Sequence, residues 1–345
     1  MRVLVANAGS SSLKLSLLDA QDDELWANEL DAPRAVVDES AVAAALAELP
    51  AAPDAAGHRI VHGGDRFREA VVVDHPVEEA LRELTVLAPL HQPKSLAALD
   101  AVRRALPDVP AVACFDTAFH ATLPPAASTY ALPREWRERY GVRRYGFHGL
   151  SHAHAARRAG EARRVVTCHL GAGASLCAVL DGRSVDTTMG FTPLEGLVMA
   201  TRSGSVDPGL LLWLQQHEGI SVDSMAEALE HDSGLLGLAG SADMRELLDR
   251  DDDDARLAVD VYVHRLRAGI GAMAASLGGL DALVFTGGVG ENSERVRELA
   301  CEGLKHLGVG APDERVRVLA VHAREDLEIA RQVRELLGAQ RLEHL

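Results

Sequence analysis

Polar side chains and a glycine follow an apolar run at the start of the chain, where residues 3–19 read VLVANAGSSSLKLSLLD. The pattern predicts a strand, a tight turn and a second strand, because leucines alternate with polar residues after the turn. Glycine and serine usually serve only the geometry of such a turn. Asn7 and Lys14 add an amide and an ammonium group, so the turn is also a candidate phosphate site.

Seven further stretches place histidine, arginine, aspartate or glycine at predicted strand ends and turns. They are GHRIVHGGDRF (57–67), LAPLHQP (87–93), CFDTAFH (114–120), YGFHGLSH (145–152), CHLGAGAS (168–175), GFTPLEGLVMATRSGSVDPG (190–209) and FTGGVGEN (285–292). A core histidine or a surface arginine is the ordinary interpretation of any one of them. So many polar, glycine-rich strand ends in one α/β chain favour ligand binding. None matches the P-loop or the protein-kinase pattern.

Hydrophobic periodicity predicts the elements that must position these residues. Strands are predicted near 57–61, 111–116, 282–288 and 316–321, and helices near 76–88, 94–105, within 207–277 and at 325–337. Residues 19–56 look variable, and DDDD at 251–254 is typical of a solvated loop or a helix N-terminus. The opening hairpin resembles the predicted hairpin at 165–182, which indicates two mixed α/β units facing each other around a cleft.

Composition and charge exclude several classes of function. The 345 residues carry a formal net charge of −16, which argues against nucleic acid or an acidic membrane surface as a partner, although not against a small anionic substrate. No apolar run approaches the roughly 20 residues that span a membrane. Met1 and Arg2 lead directly into the first predicted strand, so we expect no signal peptide and a cytoplasmic location. The four scattered cysteines are expected to be buried, reduced thiols.

The motifs NAGSSSLK, HRIVHGG, FDTAFH, YGFHGLSH and GFTPLEG, in this order, resemble the acetate kinase family of the sugar kinase and actin superfamily. The resemblance implies an α/β fold of two actin-like (ribonuclease H-like) domains, with mixed sheets flanked by helices around a central cleft. It also implies an N-terminal domain over 1–118 plus 326–345, which carries the acyl site and the phosphate hairpin. The nucleotide-binding domain would span 119–325.

The activity implied by the resemblance is reversible, Mg²⁺-dependent phosphoryl transfer from ATP to acetate, giving ADP and acetyl phosphate. Mn²⁺ is an alternative metal, and a homodimer is the implied assembly. Arg59 and Arg202 are forked cations suited to carboxylate and phosphoryl oxygens. His148 matches a histidine that donates a hydrogen bond to the transferring phosphoryl group. Asp116 is expected to help hold magnesium rather than act as a base, because the acetate carboxylate is already ionised at pH 7.

The other site residues also follow from the resemblance. Asn7 and Glu325 are the expected metal ligands, which suits the preference of Mg²⁺ for a few oxygen ligands plus water. Substrate is expected to bind at Arg59, His91 and a small apolar pocket of Val61, Leu90, Phe147 and Pro193. The nucleotide and its phosphates are expected to bind at Ser10, Ser12, Lys14, His169, Leu170, Gly171, Ala172, Gly173, Asp243, Met244, Arg245, Gly288, Val289, Gly290, Glu291 and Asn292.

The sequence departs from the family pattern in three ways. The turn HLGAG has Ala172 in place of an asparagine and is followed by Ala174 in place of a serine. Losing one donor to the phosphoryl group is expected to cost on the order of 10²-fold in rate, as for oxyanion-hole donors. Arg324 replaces an asparagine before Glu325. The chain is also shorter than expected, near residues 20–56 and 311–320.

Three alternatives stay open. A short-chain acyl kinase that prefers propionate or butyrate is opposed only weakly by the apolar pocket residues. A catalytically weak nucleotide-binding homologue is favoured by Ala172 and opposed by the retained charged residues. A sugar kinase of the same superfamily would need a polar pocket and a catalytic aspartate base, whereas the pocket residues here are apolar.

Overall fold

The computed structural model describes residues 1–9, 12–31, 37–310 and 315–343. By internal packing the chain divides into two compact units. The first unit comprises Met1–Ala121, Phe147–His154 and Arg324–Leu345, and the second comprises Thr122–Gly146 and Ala155–Ala323. Three segments differ from the predicted domain ranges, because residues 119–121, 147–154 and 324–325 pack with the first unit. Assignment of acyl binding to one domain and nucleotide binding to the other stays a prediction.

The first unit is built on a six-stranded mixed sheet of order β3-β2-β1-β4-β6-β5. Its strands are β1 (Val3–Ala8), β2 (Ser12–Leu18), β3 (Glu24–Asp31), β4 (Ala55–Ile60), β5 (Val71–Val72) and β6 (Ala111–Phe115). β1 pairs antiparallel with β2 and parallel with β4, and β4 pairs parallel with β6. The carboxyl ends of β1, β4 and β6 therefore meet at one edge, where α/β folds commonly bind ligands.

Helices flank both sheets. In chain order they are α1 (Glu39–Ala47), α2 (His75–Glu83), α3 (Gln92–Ala105), α4 (Pro125–Ser128), α5 (Arg134–Tyr140), α6 (Gly149–Arg158), α7 (Pro208–His217), α8 (Val222–His231), α9 (Gly234–Ala239), α10 (Met244–Asp249), α11 (Asp253–Leu277), α12 (Gly287–Asn292), α13 (Glu294–Glu302) and α14 (Glu325–Glu343). Among the described residues, no helix is both long and apolar enough to cross a bilayer.

The first sheet is covered on both faces, because alternate residues of β1 point to opposite sides. Leu4 and its neighbours on that face pack with buried residues of α1 and α3. Val3 and Val5 pack on the other face with Ile329 and Val333 of α14. Gly57 of β4 allows this helix to approach closely, since an added Cβ would lie 2.5 Å from Cγ2 of Ile329.

The second unit repeats this plan. Its strands are β7 (Arg164–Leu170), β8 (Ala174–Leu180), β9 (Arg183–Thr187), β10 (Ala282–Thr286) and β11 (Arg317–Ala320), in the order β11-β10-β7-β8-β9. β7 pairs antiparallel with β8 and parallel with β10, as β1 does with β2 and β4. α11 packs against β7, β8 and β9. The likeness predicted between the two hairpins is thus confirmed for five strands of each sheet, and the α/β fold class is confirmed.

Local element predictions are mostly confirmed, with three differences. The helix expected over 76–88 ends at Glu83 and continues as a 3₁₀ turn over Leu84–Leu87, since Pro89 disfavours a helical conformation at the preceding residue. The stretch 19–56 contains β3 and α1, and the helix expected over 325–337 extends to Glu343.

The acidic run at 251–254 includes the cap of α11, because the Asp252 carboxylate accepts a hydrogen bond from the Ala255 N–H. Three cysteines are buried free thiols, but the free thiol of Cys301 is only partly buried.

Buried histidines make the first unit sensitive to acid. The His58 side chain in β4 is 1% exposed, and neither ring nitrogen has a hydrogen-bond partner among the described residues. Burial lowers the pKa of His58 to about 3, and burial also lowers the pKa of His62 and of His120 to about 4. The same groups titrate near 6.5 in the unfolded chain. Below that pH the unfolded state binds more protons, so stability is present above pH 6.5 and is lost as the pH falls toward 4.

We predict that His58→Leu flattens this pH dependence. Between pH 6.5 and 4.5, the wild-type free energy of unfolding should decrease by up to about 1.4 kcal/mol per pH unit for each buried histidine. Removing one buried histidine should lower the slope of the unfolding free energy against pH by up to about 1.4 kcal/mol per pH unit. Urea unfolding followed by circular dichroism at several pH values measures the slope. His306→Gln, at an exposed position, is the matched control and should leave it unchanged. Equal slopes for wild type and His58→Leu would contradict the prediction.

Candidate active site

A buried arginine–carboxylate pair lies at the carboxyl edge of the first sheet. Arg59 comes near the end of β4, and Asp116 follows β6 directly. Arg59 donates from Nε to both carboxylate oxygens at 3.1 Å, and from its NH2 group to Oδ2 at 2.7 Å. The Asp116 side chain is 1% exposed and the Arg59 side chain 14%. Such a pair is both strong and directional.

Asn7 and Glu325 complete a charge network around Arg59. The NH1 group of Arg59 donates to Oδ1 of Asn7 at 3.3 Å and lies 3.8 Å from Oε2 of Glu325. Asn7 in turn donates from Nδ2 to Oε2 of Glu325 at 2.8 Å. Burial raises the pKa of the Asp116 carboxyl and the adjacent Arg59 acts in the opposite direction. Burial disfavours the charge of Arg59, but the two carboxylates outweigh it and raise the pKa of the guanidinium.

The chemistry of this network fits a magnesium ion. It offers two carboxylates and one amide oxygen, and Mg²⁺ binds through a few such oxygens while it keeps several waters. The predicted ligands Asn7 and Glu325 are in direct contact, and the predicted partner Asp116 shares Arg59 with them. In the parts of the chain that the structure describes, no three His, Cys, Asp or Glu side chains are grouped as a metal cage.

Backbone contacts fix Asp116 next to the segment that carries His148. The Gly149 N–H donates to the Asp116 carbonyl at 2.8 Å, and an added Cβ at Gly149 would lie 2.2 Å from that oxygen. His148 itself has φ of +56°, a left-handed conformation that is uncommon for a residue other than glycine. Such strain persists only where its surroundings impose it, and it concentrates at functional sites.

Two buried histidines that the sequence did not single out as site residues hold the predicted pocket residue Phe147. The Nε2 atom of His120 lies 3.0 Å from the Phe147 carbonyl oxygen, as a hydrogen-bond donor to it. The ring of His62 makes an edge contact with the Phe147 ring at 5.5 Å between centroids. Gln92 binds the backbone N–H and carbonyl of His62 at 3.1 Å each. Both histidines stand in the quoted motifs, but their role depends on a carbonyl and a ring that are remote in sequence.

The remaining first-unit predictions lie in different environments. Val61 and Phe147 are buried, His91 is partly exposed, and Leu90 is half-exposed. On the hairpin, the Ser12 hydroxyl donates to Oε1 of Glu29 at 2.6 Å.

The other two predicted residues of this hairpin are Lys14 and Ser10. Lys14 Nζ lies 4.0 Å from the same Glu29 oxygen. The sequence did not identify Glu29 as the partner of Ser12 and Lys14, because a charged side chain on a strand is commonly solvated. Ser10 lies outside the described residues.

Arg202 of the second unit is held by a loop carbonyl and a carboxylate. Its NH1 group donates to the Pro193 carbonyl at 3.3 Å, and its Nε lies 3.3 Å from Oε2 of Glu230. The side chain is 17% exposed. Burial lowers the pKa of the guanidinium, and Glu230 acts in the opposite direction.

The predicted nucleotide residues of the second unit occupy three turns. In the β7–β8 turn the Gly171 N–H donates to the Gly173 carbonyl at 2.9 Å, and Ala172 is exposed. Asp243 caps α10 and forms an exposed ion pair with Arg245, whose side-chain hydrogen bond lowers the pKa of Asp243 to about 2. α12 follows β10 directly. His169, Leu170, Gly171, Ala172 and Gly173 lie on β7 and its turn; Asp243, Met244 and Arg245 at the start of α10; and Gly288, Val289, Gly290, Glu291 and Asn292 in α12.

The Glu291 carboxylate already has backbone partners. Its Oε1 atom accepts hydrogen bonds from the Gly287 N–H at 2.9 Å and from the Ala323 N–H at 2.6 Å. His322 Nδ1 lies 2.7 Å from Oε2. The side chain of Glu291 therefore joins the β10–α12 turn to the segment after β11. Arg324, the unusual residue before Glu325, forms a bidentate pair with Asp326.

We predict strong coupling between Arg59 and Asp116. Arg59→Met leaves a buried carboxylate without its cation, so the free energy of unfolding should decrease by about 3–5 kcal/mol. The double variant Arg59→Met/Asp116→Asn should lose less than the sum of the two single variants. A double-mutant cycle from urea unfolding measures this coupling. Arg163→Met, which breaks an exposed pair with Asp181, is the matched control and should change little. Additive effects at Arg59 and Asp116 would contradict the prediction.

The chain is similar to known proteins over most of its length. A model of the acetokinase family matches residues 35–331. The acetate kinase of Nostoc punctiforme is 48% identical over 311 residues, which cover 82% of this chain and 76% of that protein. The acetate kinase of Carboxydothermus hydrogenoformans is 39% identical, and the match covers 98% of this chain and 99% of that protein.

Solved structures are similar over nearly the whole chain. The crystal structure of Porphyromonas gingivalis acetate kinase has a TM-score of 0.87 and 36% identity, and covers 97% of this chain and 99% of its own. A propionate kinase from Francisella tularensis has a TM-score of 0.85 and 32% identity over 96% of this chain and 98% of its own. A ROK family protein from Streptococcus pneumoniae, with a TM-score of 0.52 and 13% identity over 99% of this chain and 100% of its own, shares the fold alone. With the family model matching most of its length, the chain belongs to the acetokinase family.

Proposed function

We propose that this kinase transfers the terminal phosphoryl group of ATP reversibly to acetate, in the presence of Mg²⁺ or Mn²⁺, to give acetyl phosphate and ADP. Membership of the acetokinase family supports ATP and acetate as substrates. The observation that carries the proposal is the Arg59 network, in which a buried cation and oxygen ligands meet at the carboxyl edge of three parallel strands. Two anionic reactants need such a cation to approach each other.

The reaction requires positioning and charge stabilisation more than proton transfer. The acetate carboxylate is already a nucleophile at neutral pH, so Asp116 is not needed as a base. In our proposal Arg59 and Arg202 bind carboxylate and phosphoryl oxygens. His148 donates a hydrogen bond to the phosphoryl group during transfer. Its left-handed backbone conformation, with φ of +56°, supports a functional role for this position.

Asn7, Asp116 and Glu325 are the residues that would hold the metal ion. When bound, the ion would neutralise charge on the phosphate oxygens. Ser10, Ser12 and Lys14 are proposed to bind phosphates from the first unit. The second-unit residues 169–173, 243–245 and 288–292 are proposed to bind the nucleotide.

A small apolar acyl site is the proposed source of specificity. Val61 and Phe147 are buried apolar residues, and Leu90 and Pro193 are the further proposed pocket residues, with His91 beside them. One extra methylene is worth only about 1–3 kcal/mol of discrimination. Propionate transfer is the second candidate function, and it is favoured by the similarity to a propionate kinase.

We further propose a homodimer, as the resemblance implies, and a cytoplasmic location. α7 supports a contact between proteins, because Leu210, Leu212 and Trp213 are each about half-exposed on this one helix. Grouped exposed apolar side chains are typical of an interaction surface.

The proposed function predicts acyl phosphate formation that depends on metal and is fastest with acetate. Purified protein should release ADP and form hydroxamate-trapped acyl phosphate with Mg-ATP, and the rate should fall about 10- to 200-fold from acetate to propionate. Acetate, propionate and butyrate are assayed in parallel, with and without a chelator. A faster rate with propionate or butyrate would assign another acyl kinase. ATP binding without any acyl phosphate would leave only a nucleotide-binding homologue.

Ala172→Asn is predicted to raise kcat by about 10- to 100-fold, because it restores a side-chain donor that the family pattern places in this turn. Ala172 is exposed at the β7–β8 turn, so the larger side chain meets no packing restriction there. Acetyl phosphate formation is measured at saturating ATP and acetate. Ala52→Asn, at another exposed loop position, is the control and should leave kcat unchanged. An unchanged kcat in Ala172→Asn would mean that the turn acts through its backbone alone.

A further inference from the structure

Three side chains of the second unit form a partly buried polar cluster to which no proposed site residue belongs. Tyr130 lies between α4 and α5, Arg144 follows α5, and Glu195 lies in the loop after β9. The Tyr130 hydroxyl donates to Oε2 of Glu195 at 2.5 Å, and the NH2 group of Arg144 donates to Oε1 at 2.7 Å. The Arg144 guanidinium also lies 5.5 Å from the centre of the Tyr130 ring. We call these three residues the 130/144/195 cluster.

The cluster binds the backbone of the loop at residues 188–191. Arg144 donates from NH1 to the carbonyls of residues 188 and 189, at 3.1 and 3.0 Å. The Tyr130 hydroxyl accepts a hydrogen bond from the Phe191 N–H at 2.9 Å. Gly190 lies beneath the cluster, since an added Cβ there would be 1.8 Å from Oε2 of Glu195 and 2.1 Å from the Tyr130 hydroxyl. Backbone hydrogen bonds also hold the loop, because the Thr188 N–H donates to the Leu176 carbonyl at 3.1 Å and the Gly190 carbonyl accepts from the N–H groups of residues 145 and 146 at 3.1 and 3.2 Å. The side-chain bonds of the cluster add to these and fix the loop on its other side.

The same loop carries Pro193, whose carbonyl accepts the hydrogen bond from Arg202. A chain of contacts therefore runs from the 130/144/195 cluster through the loop backbone to the guanidinium that is proposed to bind the phosphoryl group. Displacing the loop would move both an apolar residue of the proposed acyl site and one partner of Arg202. Small errors in such positions are costly, because transfer depends on alignment of the reacting groups.

We propose that Tyr130, Arg144 and Glu195 are positioning residues that fix Pro193 and Arg202 for phosphoryl transfer. This inference rests on the proposed function. It gives the cluster a role in kcat and in acyl selectivity beyond its contribution to folding. Glu195 is central to it, because its two oxygens join the other two side chains.

Glu195→Gln and Tyr130→Phe test the inference. Glutamine keeps the size of the side chain but loses the charge that strengthens both bonds. Phenylalanine removes the hydroxyl that joins Glu195 to the Phe191 N–H. Each variant should lower kcat for acetyl phosphate formation at least tenfold and lower the acetate-to-propionate preference at least threefold. The KM for ATP should stay within twofold of the wild-type value. Glu138→Gln, on the adjacent α5 and exposed, is the control and should retain wild-type kinetics.

Thermal unfolding and the folded fraction are measured for every variant. Wild-type kcat and selectivity in both variants would overturn the inference, and so would a loss of activity no larger than the loss of folded protein. If Glu195→Gln does not fold, Tyr130→Phe decides by the same criteria. Absence of acyl phosphate with the wild-type protein would instead be a failure of the proposed function, so the two failures are distinguishable.

Discussion

The site of the first unit depends on one constraint, the need of a buried carboxylate for a cation. Asp116 is almost fully buried, and an unpaired charge in that position would cost several kcal/mol. Topology provides the cation, because β4 and β6 are parallel neighbours whose register places Arg59 beside Cys114, two residues before Asp116. Any relative movement of these strands would separate the pair. The packing of α14 and α3 on the two faces of the sheet therefore supports the charge network as well as the core.

The two sheets show how one frame can carry two kinds of binding chemistry. Five strands have the same order and directions in each unit. In the first sheet the strand ends carry charged side chains and an amide, which are ligands for cations and carboxylates. In the second sheet, a turn with glycines at 171 and 173 follows β7 and a short glycine-containing helix follows β10. The strands set the positions, and the residues after each strand set the chemistry.

Sequence reasoning was most successful where a residue's role follows from its own motif. The parallel strands and the polar residues at their ends could be predicted because apolar runs followed by small polar turns are local patterns. The 130/144/195 cluster could not be predicted, because its contacts join side chains that are remote in sequence, with Tyr130 and Glu195 65 positions apart. Glu195 stands in the motif GFTPLEG, but the motif does not show what its carboxylate binds. His120 was invisible for the same reason, since its partner is a backbone carbonyl. Glu291 shows the converse, because a residue in a nucleotide-binding motif uses its carboxylate to hold backbone groups.

The two arginines of the proposed mechanism differ in the partners that their guanidinium nitrogens already have. Arg59 directs Nε and NH2 at Asp116 and NH1 at Asn7 and Glu325, so each of its three nitrogen atoms already faces an oxygen. Arg202 has a single carboxylate oxygen at 3.3 Å and a loop carbonyl, and its NH2 group makes no hydrogen bond within the described part of the chain. An anion that binds at Arg59 would share the guanidinium with these partners, whereas the NH2 group of Arg202 has no such partner within the described part of the chain. Arg202 is therefore better suited to receive a phosphoryl oxygen, and Arg59 to hold the carboxylates and the metal-binding oxygens in register.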